Sequence, residues 1–198
     1  MRALLVTGQP SCGKTTLVKT LVELAQELDP QLSVSGFVTD EVLRGGARVG
    51  FDVVSVRAPA ARGPLARKGA PSRHKTGAYG VDVAAFERVA LPLLAAHAGR
   101  RRLIVIDEIG RMEMHSAKFA EAVQALLDDA DALLLGSVAA PRYGHVVPLA
   151  EEIKARSDVC TLHLKTSTRE GVGTDARREL RRLLGAGGSE RKRRRVVQ

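Results

Sequence analysis

Three runs along this chain are apolar without interruption, and each ends abruptly in polar or glycine residues. Ala3-Leu4-Leu5-Val6 runs into Thr7-Gly8, Leu103-Ile104-Val105-Ile106 into Asp107-Glu108, and Ala132–Val138 ends on Gly136-Ser137-Val138. Unbroken runs of this length, without polar alternation, predict strands buried on both faces, as central parallel strands are. Val159–Leu164 predicts one more strand. Between them the period changes. Lys14–Leu28 places Leu17, Leu21, Leu24, Ala25 and Leu28 at spacings of three and four, which predicts an amphipathic helix ended by Asp29-Pro30. Ala84–His97 predicts a second helix. Ser116 predicts the cap of a third, to about Leu127, with Phe119, Val123, Leu126 and Leu127 on one face. Leu149–Arg156 predicts a short helix, and Thr174 the cap of a last one ending near Leu184.

Val34–Val42 and Val49–Val56 flank Arg44-Gly45-Gly46 and predict a β-hairpin. Residues 57–78 carry Arg, Lys, Pro, Gly and Ala with almost no large apolar side chain, which predicts a long, irregular, mobile basic loop. Gly185-Ala186-Gly187-Gly188-Ser189 predicts a flexible linker. The expected organisation is one α/β domain over 1–184, a mostly parallel sheet flanked by helices with a hairpin near 34–56, then a flexible basic tail over 185–198. No internal repeat is visible.

Composition changes this picture only at the margins. The 198 residues suffice for a core without covalent staples. With no Trp, four Phe and two Tyr, that core is aliphatic. Net charge is +9, of which the last fourteen residues carry +4, leaving a mildly basic body. The two cysteines, Cys12 and Cys160, read as reduced thiols. No run approaches the ~20 apolar residues of a membrane span. A cytoplasmic monomer without membrane contact is expected. The run Arg191–Arg195 reads as a nuclear address, a nucleic-acid patch or a solvated terminus, and it is the one place where nucleic acid is expected to bind. The five histidines lack metal-ligand spacing, so a zinc site is not expected.

The chemistry concentrates where strands stop. Gly8-Gln9-Pro10-Ser11-Cys12-Gly13-Lys14-Thr15 is a P-loop, with Thr16 continuing it into the helix. Triphosphate oxygens need a nest of backbone N–H groups at the positive end of a helix, and glycines let the chain come close. Lys14 is expected to reach the β- and γ-phosphates and Thr15 to place its hydroxyl on Mg²⁺. Cys12 is expected to fill the loop rather than to act as a redox switch. The stretch Leu103, Ile104, Val105, Ile106, Asp107, Glu108, Ile109, Gly110 resembles a Walker B strand. Asp107 is expected in the Mg²⁺ shell, and Glu108 is expected to orient or deprotonate the attacking water. Glu113 either joins the metal shell or pairs with Arg111, pairing being preferred. Ser137 either senses the γ-phosphate or is a satisfied polar strand end. Arg142, after the third buried strand, is the expected catalytic cation beside Lys14 and Glu108; Arg62, Arg67, Lys68, Arg73 and Lys75 are weaker candidates.

These residues resemble the nucleoside-triphosphatase family that includes human cancer-related nucleoside-triphosphatase and small archaeal and bacterial homologues. The resemblance runs through Gly8–Thr16, Gly36–Val42, Gly45-Gly46, Val49–Val54, Arg62–Leu65, Tyr79–Asp82, Val105–Glu113 and Pro148–Arg156, most of residues 1–165. Asp40 stands where the family carries Glu. The resemblance implies a RecA-like P-loop fold, nucleotide contacts along Gly8–Thr15 and Leu103–Gly110, and Mg²⁺-dependent hydrolysis of ATP, GTP and other nucleoside triphosphates to diphosphate and phosphate. A nucleotide or polynucleotide kinase, with residues 57–78 gripping the acceptor, is the alternative. A nucleotide-gated module whose tail touches nucleic acid is a third reading.

Overall fold

The structure, a computed structural model, describes residues 1–95, 101–141 and 144–195, with side chains in the last stretch described to residue 185. The strands in chain order are β1 (Ala3–Gly8), β2 (Ser33–Arg44), β3 (Ala47–Ser55), β4 (Arg62–Lys68), β5 (Lys75–Thr76), β6 (Tyr79–Val81), β7 (Arg102–Ile109), β8 (Ala132–Ala139) and β9 (Val159–His163). The helices are α1 (Lys14–Leu28), α2 (Val83–Leu94), α3 (Ala117–Asp128), α4 (Pro148–Ala155) and α5 (Arg169–Arg195). All nine strands form one sheet in the order β5-β6-β4-β3-β2-β7-β8-β1-β9. From β2 through β9 every pairing is parallel. From β2 outward through β3, β4, β6 and β5 every pairing is antiparallel. The sheet is thus mixed: a parallel half holds the three apolar runs, and an antiparallel half extends from the predicted hairpin.

The apolar runs sit at its centre because helices cover both faces. Leu4, Leu103, Val105, Leu133 and Leu135 pack against Val18, Leu21 and Ala25 of α1 and Ala176, Leu180 and Leu183 of α5. Their neighbours Leu5, Ile104, Ile106 and Leu134 point the other way, toward Phe86 of α2, Phe119 and Val123 of α3, and Ile153 of α4. Alternation along each strand therefore exists in space, but both sets are apolar because both faces are covered. Gly136 allows the tight centre: a Cβ there would lie 1.9 Å from the Ile106 carbonyl oxygen. Ser116 caps α3, accepting from the Phe119 N–H at 3.0 Å.

Three expectations need correction. Residues 57–78 are not an irregular loop: they carry β4 and β5, and Leu65 and Ala66 are buried. What holds this segment is charge within the sheet. Asp52 of β3 accepts from Arg62 at 2.7 Å and from Arg67 at 2.5 Å. Burial opposes ionisation of Asp52, but the two guanidiniums outweigh it and hold the carboxyl below its ordinary value. The last helix begins at Arg169 rather than at Thr174, whose hydroxyl bonds back to the Glu170 carbonyl at 3.3 Å. Its backbone also runs on past Gly185 to Arg195, through the stretch where composition predicts a linker; helix propagates once nucleated. Among the described residues no helix is long and apolar enough to cross a membrane.

Candidate active site

The P-loop leaves β1 at Gly8, turns through Ser11 in the left-handed region (φ 63°), and enters α1 through Gly13 at φ 101°. A left-handed non-glycine residue is costly backbone geometry that tends to persist at functional loops. Gly13 caps α1 without any side-chain hydrogen bond to the first turn, so no side chain of the cap competes for those N–H groups. Gln9, Pro10, Ser11 and Thr16 are exposed, whereas Cys12 is buried with Val6 and Leu164, as a loop filler should be.

Lys14 lies inside this turn. Its Nζ donates to the Gly8 carbonyl at 3.1 Å and stands 3.4 Å from Glu108 Oε2. The strand order explains the meeting. β7 is separated from β1 only by β8, and the β7–β8 register shifts between Ile106 and Ile109, where Asp107 and Glu108 leave the regular ladder. Glu108 is one-third exposed; Asp107 is almost wholly buried. The Ser137 hydroxyl donates to Asp107 Oδ1. Burial pushes the Asp107 carboxyl above its ordinary value, while hydrogen bonds from Ser137 and Thr15 pull the other way. Asp107 Oδ2 is buried with no hydrogen-bond partner. A buried carboxylate oxygen left bare beside a P-loop Thr hydroxyl fits a divalent cation, for which oxygen donors are the preferred ligands. Among the described residues no group of three or more His, Cys, Asp or Glu is placed to hold a metal ion.

The structure thus brings together Gly8–Thr15, Asp107, Glu108 and Ser137. Leu103, Ile104, Val105, Ile106 and Ile109, expected among the nucleotide contacts, have their side chains buried in the two core layers, where they anchor the acids. Gly110 lies between two carboxylates: a Cβ there would be 2.7 Å from Glu108 Oε1 and 2.9 Å from Glu113 Oε2. Arg142 lies outside the described residues.

Two more residues stand at the site: Glu113, which the sequence left between the metal shell and a preferred pair with Arg111, and Arg169, which the sequence did not single out. Glu113, in a one-turn 3-10 helix (Glu113–His115), is buried and makes no ion pair with Arg111. Burial, then the neighbouring charge of Glu108, pushes its carboxyl up to about 8. Arg169, the first residue of α5, donates from Nε to the Cys12 carbonyl at 3.1 Å. No local signal links Arg169 to the P-loop; the contact exists because β9 pairs with β1 and the Leu164 N–H donates to Thr7 O at 2.7 Å.

Comparison with known proteins agrees with this geometry. A family profile described as NTPase matches residues 3–175. The chain belongs to that family. A bovine relative named cancer-related nucleoside-triphosphatase homolog is 40% identical over 167 residues, covering 80% of this chain and 85% of the relative. The crystal structure of THEP1 from the hyperthermophile Aquifex aeolicus superposes with a TM-score of 0.73 at 31% identity, covering 87% of this chain and 95% of that one. The solution structure of a human cancer-related nucleoside triphosphatase gives 0.71 at 36% identity, covering 88% and 95%. The fold is therefore that of the P-loop NTPases, within the NTPase family.

Proposed function

We propose that this chain hydrolyses nucleoside triphosphates to diphosphate and phosphate with Mg²⁺, accepting ATP, GTP and other bases. The observation that carries the reading is the bare, buried Oδ2 of Asp107 behind the Lys14–Glu108 pair. Thr15 and Asp107 would hold the ion, which would supply positive charge to offset that of the phosphates. The remaining steps belong to the chain. The backbone N–H groups of the P-loop and of the first turn of α1 bind the phosphates. Lys14 exchanges its contact with Glu108 for phosphate oxygens, and the exchange leaves Glu108 free to accept a hydrogen bond from water. That water's oxygen bonds to the γ-phosphorus as the bond from phosphorus to the β–γ bridging oxygen breaks. The diphosphate leaves with the electron pair, and the water proton passes to Glu108 and then to phosphate or solvent.

The kinase alternative asked the cations of 57–78 to grip an acceptor. Two of them, Arg62 and Arg67, are instead engaged with Asp52, which takes them from that grip. The test is phosphate release from ATP, GTP, CTP and UTP with Mg²⁺ and no acceptor, against the same reactions in excess chelator. Release from several nucleotides, abolished by chelation, supports the reading; release only after an acceptor is added contradicts it.

A further inference from the structure

The two flanks of the P-loop differ. On the β8–β7 side stand Ser137, Asp107 and Glu108; on the β9 side stands Arg169. If phosphorus–oxygen cleavage occurs by the acids, as proposed above, the nucleoside end of a linear triphosphate leaves toward Arg169. The guanidinium there is held face-on. From a Cβ placed on Gly13, its Nε, Cζ and Nη2 lie at nearly equal distances, 3.2, 3.3 and 3.5 Å, so one face of the plane covers Gly13. Arg169 is an exposed residue, and among the described residues it makes no ion pair. The turn that delivers it is itself fixed: Thr168 N–H donates to Lys165 O at 3.1 Å and the Lys165 N–H to Thr168 Oγ1 at 3.3 Å.

A base needs a planar partner, and none of the described phenylalanine and tyrosine rings is free to be one. Phe37, Phe86 and Phe119 are buried against one another, with ring centroids 5.2–6.0 Å apart. Phe51 and Tyr79 pack against each other, tilted, with ring centroids 5.4 Å apart on the antiparallel half of the sheet. We infer that Arg169 is the platform on which the nucleotide base stacks, its inner face on the P-loop and its outer face on the base. A guanidinium plane stacks on any base without reading its edge. The inference rests on the proposed nucleotide site and names its base-binding residue.

The test measures dissociation constants by calorimetry for ATP, CTP and inorganic tripolyphosphate, each with Mg²⁺, on wild type, Arg169→Ala and Arg169→Lys. Wild type comes first: if it binds no nucleotide, the functional reading fails and not merely this inference. Expected for both variants is an affinity loss of about ten-fold for ATP, somewhat less for CTP, and none for tripolyphosphate. The lysine variant keeps the charge and a donor for the Cys12 carbonyl, so its loss of nucleotide with intact tripolyphosphate binding isolates the plane. An equal loss for tripolyphosphate would make Arg169 a phosphate ligand or a prop of the loop and overturn the inference, as would unchanged ATP affinity in both variants.

Discussion

Asp107 and Glu113 are both carboxyls taken out of water, and each yields a different test. Asp107→Asn keeps the shape but removes the charge that the bare Oδ2 offers to a cation. In wild type, Mg²⁺ added to a nucleoside diphosphate should raise Tm beyond the effect of nucleotide alone, since a ligand bound only by the native state stabilises it. The asparagine variant should lose that increment and keep the metal-free one; an unchanged increment would remove Asp107 from the metal site. Glu113 gives a pH signature. Its native value of about 8 lies above the ordinary 4.5, so the folded chain holds a proton that the unfolded chain has released. The stability contributed by that proton is whole below 4.5 and is lost as pH rises through about 8. Glu113→Gln should therefore show a flatter Tm profile over this window than wild type. Parallel profiles would assign the pH dependence to another group.

At the scale of elements, Gly136 and Asp52 test how the two halves of the sheet are built. Gly136→Ala sets a methyl against the Ile106 carbonyl backbone, which cannot swing away as a side chain would. Chemical denaturation should show a loss of more than ~2 kcal/mol, of the size that overpacked cores show; a loss under ~0.5 kcal/mol would mean that β7 and β8 can spread freely. Asp52→Asn should cost about 1–2 kcal/mol, discounted because both arginines are partly exposed, and the cost should be felt in β3 and β4 before the parallel half. Hydrogen exchange read by segment distinguishes local from uniform loosening. The same elements explain what a sequence can and cannot reveal. β1, β7, β8 and α1 were legible because apolar runs buried on two faces and a P-loop sit in one local window each. The Ser116 cap was legible for the same reason. β4 was not: Arg62-Gly63-Pro64-Leu65-Ala66-Arg67-Lys68 has one large apolar side chain and a proline opposite Asp52, where the ladder itself is irregular. Its stability comes from partners on β3, which no window of β4 contains.

Across the whole molecule, the site is a product of strand order. The P-loop, Asp107, Glu108 and Ser137 stood out in the sequence because each closes an apolar run, and strands running parallel bring their ends to one edge. Glu113 stood out only as a metal ligand or, preferably, a partner of Arg111, and Arg169 did not stand out. Glu113 lies beyond the strand and reaches the site only because the turn at Gly110 folds it back toward Glu108. Arg169 reaches the P-loop only through the β9–β1 pairing. The central claim joins these parts: the Glu108 carboxylate, paired with Lys14 in the absence of nucleotide, acts on water once Lys14 engages phosphate. Single-turnover phosphate release by Glu108→Gln, with nucleotide affinity measured on the same protein, tests it most directly. The account predicts affinity within a few-fold of wild type and a hydrolysis rate lowered by about 10²–10⁴. A variant that hydrolyses at the wild-type rate, or that loses binding and rate together, would contradict it.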